Sequence, residues 1–252
     1  MDLRTDIAEE RNAAQEARFL ERLDGQREVG RNAVVFHSPR GLPAERYRLL
    51  EFKLGQICLE HRLKSVGVVS AVPGEGRSTT AMNLALSAAR AGDRRVVLLE
   101  ADLRRPGLEL QLGLAAGPGL AELLEGDVPL EAAVRRIARP PMWLLPAGGR
   151  GSLDREAAFS AKRFRRILDL LEASFDSVFV DMPPLLSSAD AAMVASLCHG
   201  VVLVIQPRRS KYGLLQGAAS VLGGVRVLGA VLNDSEGLLG RAEAGDSRWL
   251  GG

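Results

Sequence analysis

Short, continuously apolar runs rich in β-branched residues alternate with stretches of helical period along most of the chain. The runs are 65–71 (SVGVVSA), 94–101 (RRVVLLEA), 142–147 (MWLLPA), 177–183 (SVFVDMP), 200–207 (GVVLVIQP) and 225–233 (VRVLGAVLN). Runs without in-and-out alternation are what strands covered on both faces look like. Between them, 77–91, 160–174 and 187–198 carry helical spacing. The series predicts an α/β fold with a doubly wound, mainly parallel sheet, whose ligands sit at the carboxyl ends of the strands. Ahead of the first strand, Tyr47, Leu50, Leu54 and Ile57 recur at helical spacing from Pro43 onward, with Leu49, Phe52, Leu59 and Leu63 widening the apolar face. The spacing predicts a leading helix within 38–64 that packs on the domain. Residues 1–37 read as a charged extension, 38–235 as the folded domain, and 236–252 as a flexible tail.

Composition adds little beyond class. With 46% hydrophobic and 25% charged residues the chain is globular in character, and 33 basic against 31 acidic residues leave a formal charge of +2, which is no nucleic-acid signature. No apolar run reaches the roughly 18 residues a membrane span needs, and the first 30 residues lack a signal-peptide pattern, so the expected location is cytosolic. Cys58 and Cys198 are far apart and outside any CxxC spacing, which suggests reduced, buried thiols; His37, His61 and His199 form no metal motif.

The chemistry lies at the strand ends. The first run leads into Ala71-Val72-Pro73-Gly74-Glu75-Gly76-Arg77-Ser78-Thr79 and then a helix rich in Ala and Leu. This is the Walker A arrangement of a P-loop NTPase with one change: arginine stands in the lysine position. Gly74 and Gly76 let successive N–H groups, including those of Glu75 and Thr79, turn toward phosphate oxygens, and the helix N-terminus adds its dipole. Ser78 is placed to ligate Mg²⁺. Past the second strand Glu100 and Asp102 share one side of the chain, where one can hold metal and the other accept a proton. Asp181 closes an apolar strand in the Walker B manner. Arg208, Arg209 and Lys211 follow another strand end and read equally as phosphate or partner contacts and as plain surface. The basic run Lys162, Arg163, Arg165 and Arg166 reads first as a solvated helix face and second as a site for acidic lipid or a partner.

Taken as a series, AVPGEGRSTTAMNLA, LLEADLRRPGL with the later GPGLAELLEG, FVDMPP and VLGAVLND resemble the bacterial tyrosine kinases of capsular and exopolysaccharide synthesis, the BY-kinases, over about residues 38–234. ParA/MinD-type ATPases carry a further lysine early in the loop, where this chain has Val72. The resemblance implies an ATP- and Mg²⁺-dependent kinase fold at the inner face of the plasma membrane, working beside a membrane polysaccharide co-polymerase and assembling as a homo-oligomer. By that resemblance Arg77 takes the phosphate-binding lysine's place, Ser78, Asp102 and Asp181 support Mg²⁺, Glu100 replaces the aspartate regarded as base, and Asn233 stands where a nucleobase contact belongs.

Four departures from the family pattern bear on activity. Arg77 brings a planar fork where the loop suits a point charge. Glu100 adds a methylene to the base position. The tail EGLLGRAEAGDSRWLGG has no tyrosine, and Tyr47 and Tyr212, the two in the chain, read as packing residues. The ring-forming E-x-x-R-x-x-R pattern becomes Glu45, Arg48, Glu51, with the last charge reversed. The leading expectation is a nucleotide-binding regulator of weakened catalysis; the others are an active kinase directed at other proteins and a non-enzymatic scaffold.

Overall fold

The computed structural model of the chain describes residues 29–92, 94–137, 141–149 and 160–233. Its elements are α1 (Val34–His37), α2 (Leu42–His61), β1 (Ser65–Ser70), α3 (Arg77–Arg90), β2 (Val96–Glu100), α4 (Leu108–Gln111), α5 (Leu120–Glu125), α6 (Leu130–Ala133), β3 (Arg135–Ile137), β4 (Met142–Leu145), α7 (Ala161–Ser174), β5 (Ser177–Asp181), α8 (Ala189–Leu197), β6 (Gly200–Ile205), α9 (Tyr212–Leu222) and β7 (Val227–Leu232). The seven strands lie in the order β3-β4-β2-β5-β1-β6-β7. Every neighbouring pair is parallel except β3 with β4. All six continuous apolar runs are strands of this sheet; five are largely covered on both faces, as their lack of alternation implies, whereas the edge strand β7 is exposed or half-exposed along its whole length.

The sheet separates two apolar layers. On one face Val69, Val97, Leu99, Val178 and Val180 meet Phe164, Leu168 and Leu171 of α7 and Val194 of α8. On the other Val66, Val68, Val96, Leu98 and Phe179 meet α3 and α2. The central helix α3 is buried along almost its whole length, which its small side chains Ala81, Ala85, Ala88 and Ala89 permit.

The leading helix packs on this second face, with Leu54 buried and Tyr47, Leu50 and Cys58 partly covered. Its apolar face is narrower than the sequence suggests: Leu49, Phe52 and Leu59 are 56%, 59% and 77% exposed. A straight helix on one partner layer covers one stripe, and these three lie off it. Glu51, the position of reversed charge, faces inward and pairs with Arg94 at 3.7 Å. Residues 29–37, assigned from sequence to the extension, contribute Ala33 and Val35 to the core, and the Val35 N–H donates to Asn83 Oδ1 at 3.1 Å. Residues 1–28 and the tail from 234 onward lie outside the described residues. Cys198 is buried as expected, whereas Cys58 is only half-buried; both are free thiols.

Candidate nucleotide-binding site

The P-loop runs between the end of β1 and the start of α3, at the carboxyl edge of the sheet. Gly74 and Gly76 have φ of 82° and 87°, the left-handed region that lets the chain fold round a small anion. Gly76 is the residue before α3, and the N–H groups of Gly74, Gly76, Arg77, Ser78 and Thr79 donate to no protein acceptor among the described residues. They include the orphan donors a helix start leaves for a ligand.

The loop is held in shape from below and above. Glu75 is buried, its carboxylate accepting from the Val72 N–H at 3.0 Å and from the Ser210 hydroxyl. The Asn233 amide donates to the Glu75 carbonyl at 3.0 Å, and the Asn233 N–H donates to the Ile205 carbonyl, so the end of β7 is fastened to the loop. Arg209 lies over the other glycine; a Cβ on Gly74 would sit 2.8 Å from its Nη1.

Beneath the loop three acids and one base converge. Arg77 points inward and is only 9% exposed. Its Nη2 donates to Asp102 Oδ2 at 2.8 Å and its Nε to Asp181 Oδ1 at 3.0 Å. The second oxygen of Asp102 accepts from the Arg105 N–H at 3.1 Å. Burial holds the Asp181 carboxyl above the ordinary range against the lowering pull of Arg77 and of the nearby Ser78 side chain. Glu100 is 2% exposed, and its carboxylate accepts from the N–H groups of Gly107 (2.5 Å), Leu108 (2.8 Å) and Ala147 (3.2 Å). Burial pushes it up to about 7, against the opposing effect of those three donors.

No protein-family model matches the chain. Over 205 residues it is 32% identical to tyrosine-protein kinase YwqD of Bacillus subtilis, a match covering 81% of this chain and 86% of that protein. The chain belongs to the bacterial tyrosine kinases. It is also 28% identical over 207 residues to the succinoglycan biosynthesis transport protein ExoP of Rhizobium meliloti, of which it spans only 26%. The kinase domain of Escherichia coli tyrosine kinase ETK superimposes with a TM-score of 0.76 at 24% identity, covering 84% of this chain and 83% of that one. The septum site-determining protein MinD of Pyrococcus horikoshii, solved as a complex with Mg-ADP, superimposes with a TM-score of 0.58 at 24% identity, covering 68% and 70%. These two likenesses establish a P-loop fold.

The structure of this family member brings Gly74, Glu75, Gly76, Arg77, Ser78, Thr79, Asp102, Asp181 and Asn233 to one strand-end site. Glu100 stands one strand position from Asp102 but spends its carboxylate on the backbone of 107–108 and 147. The phosphate side of the site has free donors and fits a polyphosphate. The metal side does not fit a divalent ion as it stands: both oxygens of Asp102 and one of Asp181 are already engaged, and no group of three or more His, Cys, Asp or Glu among the described residues is arranged to hold a metal.

Sequence reasoning missed three features. Ser210 appears in no motif, and its hydroxyl reaches Glu75 only because the turn after β6 folds back on the loop. Tyr212 is 76% exposed at the start of α9 and is not a packing residue; Tyr47 is partly covered, with burial raising its phenol. In the basic run on α7, Lys162, Arg163 and Arg166 are exposed as on a solvated face, but Arg165 is half-buried and pairs with Asp169 and Glu172, and Arg163 donates to the Leu124 carbonyl.

Proposed function

We propose that this chain is a nucleotide-binding regulator of the bacterial tyrosine kinase family. It takes ATP or ADP on the P-loop, transfers phosphoryl groups weakly, and serves exopolysaccharide or capsule synthesis at the inner face of the plasma membrane by docking on a membrane co-polymerase. The observation that carries the catalytic part is the Arg77 guanidinium joined to both Asp102 and Asp181 beneath an otherwise open phosphate cradle. A phosphoryl-transfer site works by aiming uncommitted charge at the transferring group. Here the loop cation and the two acids are committed to one another. Glu100, in the position of the base, is committed to three backbone donors, so a proton taken by it has to displace a hydrogen bond.

The relatives support the cellular part. ExoP is named for succinoglycan biosynthesis and transport, and this chain corresponds to about a quarter of it, 26%. No helix among the described residues is long and apolar enough to cross a membrane; in this reading the link to the bilayer is a partner.

The test compares wild type with the Arg77→Lys, Glu100→Asp double reversion for ATP binding by calorimetry and for ATP turnover. The expected result is binding by both and turnover at least about 100-fold slower in wild type, the scale on which single electrostatic groups act. Equal turnover defeats the weakened-catalysis reading; absence of ATP binding defeats the nucleotide reading.

A further inference from the structure

We propose that Arg77 is a built-in cation that replaces the divalent metal at the Asp102–Asp181 pair, so that this protein binds nucleotide without a metal ion. The proposal rests on the nucleotide-binding reading above but concerns what neutralises the acids.

The geometry argues for replacement over mere proximity. Arg77 contacts the two carboxylates through different nitrogens, Nη2 to Asp102 and Nε to Asp181, and so supplies positive charge between the two acids that would otherwise hold a metal. The side chains of Arg77, Asp102 and Asp181 are 10%, 4% and 1% exposed, so the bridge is shielded from competing water and salt. A planar fork is suited to such two-sided contact, and a lysine ammonium is not. The guanidinium still has N–H groups to spare after these two bonds. Both oxygens of Asp102 are also accounted for, since Oδ1 takes the Arg105 N–H. A divalent ion entering here has to expel Arg77 from both acids. It then meets the displaced positive charge at close range. Phosphate, by contrast, approaches from the other side of the loop, where the N–H groups of Gly74, Gly76, Ser78 and Thr79 are open and Arg209 overhangs. Nothing on that side requires the acids to be released. The consequence is a site in which nucleotide and metal are uncoupled, whereas oxygen ligands on metal and nucleotide normally reinforce each other.

The experiment has two arms. In the first, Mn²⁺ is titrated into nucleotide-free protein and followed by electron paramagnetic resonance, for wild type, Arg77→Met, and Arg77→Met combined with Asp102→Asn. Wild type is expected to show at least about tenfold weaker Mn²⁺ binding than Arg77→Met, and the gained site is expected to vanish in the double variant. Affinities for wild type and Arg77→Met within about threefold of each other overturn the proposal, as does a gained site that survives Asp102→Asn. Should Arg77→Met fail to fold, Arg77→Lys takes its place with the same expectation, since a single nitrogen does not reproduce contacts made through two different nitrogens of the guanidinium. In the second arm, ADP affinity is measured by calorimetry in EDTA and in MgCl₂. Wild type is expected to change by less than about threefold, while the Arg77 variant gains about tenfold or more from Mg²⁺. A tenfold loss of wild-type affinity in EDTA overturns the proposal. If wild type binds ADP in neither buffer, the nucleotide reading falls, and the Mn²⁺ arm still decides whether Arg77 fills the metal's place.

Discussion

Replacing Glu100 by glutamine changes the pH dependence of stability with a sign and size that the structure dictates. Glu100 is raised from 4.5 to about 7 in the folded protein, first by burial and further by the nearby charge of Asp181. Between those values the unfolded chain gives up this proton while the folded chain keeps it. Stability contributed by the protonated form is therefore present below 4.5 and is lost as pH rises through 7. A tenfold difference in proton affinity between folded and unfolded chain is worth about 1.4 kcal/mol. From pH 5 to pH 8 the part of the transition that is crossed amounts to about 2.5 kcal/mol lost by wild type and not by Glu100→Gln. The glutamine has its own cost. Its carbonyl oxygen keeps the Gly107 and Leu108 donors, but its amide faces the Ala147 N–H, a loss of about 1–3 kcal/mol at every pH. The variant is thus expected to be the less stable protein at pH 5 and to close or reverse the gap by pH 8. Urea unfolding of both proteins across that range measures the difference directly, and the contributions of Glu51 and Asp176, whose shifts do not involve Glu100, cancel between them. A gap that stays constant within about 1 kcal/mol would refute the reasoning that Glu100 is held protonated by burial.

Other outcomes follow from single contacts. Arg77→Met is expected to cost about 3–5 kcal/mol in urea unfolding, because it strands two buried carboxylates; a loss below about 1 kcal/mol would show that the bridge is not a structural one. Gly76→Ala puts a Cβ into the Asn233 amide at a φ of 87°, so ADP affinity is expected to drop at least about tenfold, and unaltered calorimetric binding would contradict the described loop. On α2, Leu54→Ala is expected to cost about 2–5 kcal/mol, whereas Leu49→Lys and Phe52→Lys stay within about 0.5 kcal/mol of wild type by thermal unfolding; equal losses at the three positions would mean that the covered stripe is misassigned.

How much was legible in the sequence follows from what each signal measures. Buried parallel strands announce themselves through unbroken apolar runs, and each of the six found that way is a strand, although β7 at the sheet edge is not a buried one. β3 (Arg135–Ile137) escaped because it is three residues long, begins with two arginines and lies at the sheet edge, where one side needs no apolar cover. The helices of 108–133 escaped for a similar reason: at four to six residues they are too short to show a period. Gly119 in that stretch carries a clearer signal afterwards than before. A Cβ there would strike the Pro146 carbonyl and the Gly148 N–H, a close approach between segments that only the fold creates. On α2 the periodicity gave the helix but overstated its buried width, since an apolar residue reports what it can do and not which side the partner occupies. In the site, the motif residues converge as their spacing implies. The direction in which Arg77 points is a different kind of fact, set by the competition between phosphate side and acid side, and no spacing contains it.

The two replacements at the site make sense together. Lysine to arginine and aspartate to glutamate each preserve charge while adding reach: the guanidinium extends far enough to join Asp102 and Asp181, and the added methylene carries the Glu100 carboxylate to the N–H groups of Gly107 and Leu108. The two sets of contacts are separate, Arg77 with the two aspartates and Glu100 with the backbone of 107–108 and 147, and each gives a buried charged group a partner whose loss costs several kcal/mol. With both lengthened, the loop cation is neutralised by two acids and the third acid is shared among three backbone donors, so every charge beneath the P-loop has a protein partner. Such a site is stable without a ligand, which a kinase awaiting metal and ATP does not need to be. Under the proposed function, that self-sufficiency suits a domain that reads nucleotide through its backbone donors and transfers phosphoryl groups weakly. It also explains why reverting Arg77 alone is a weaker test than reverting both: the single change reopens the metal side while Glu100 stays tied to the 107–108 backbone.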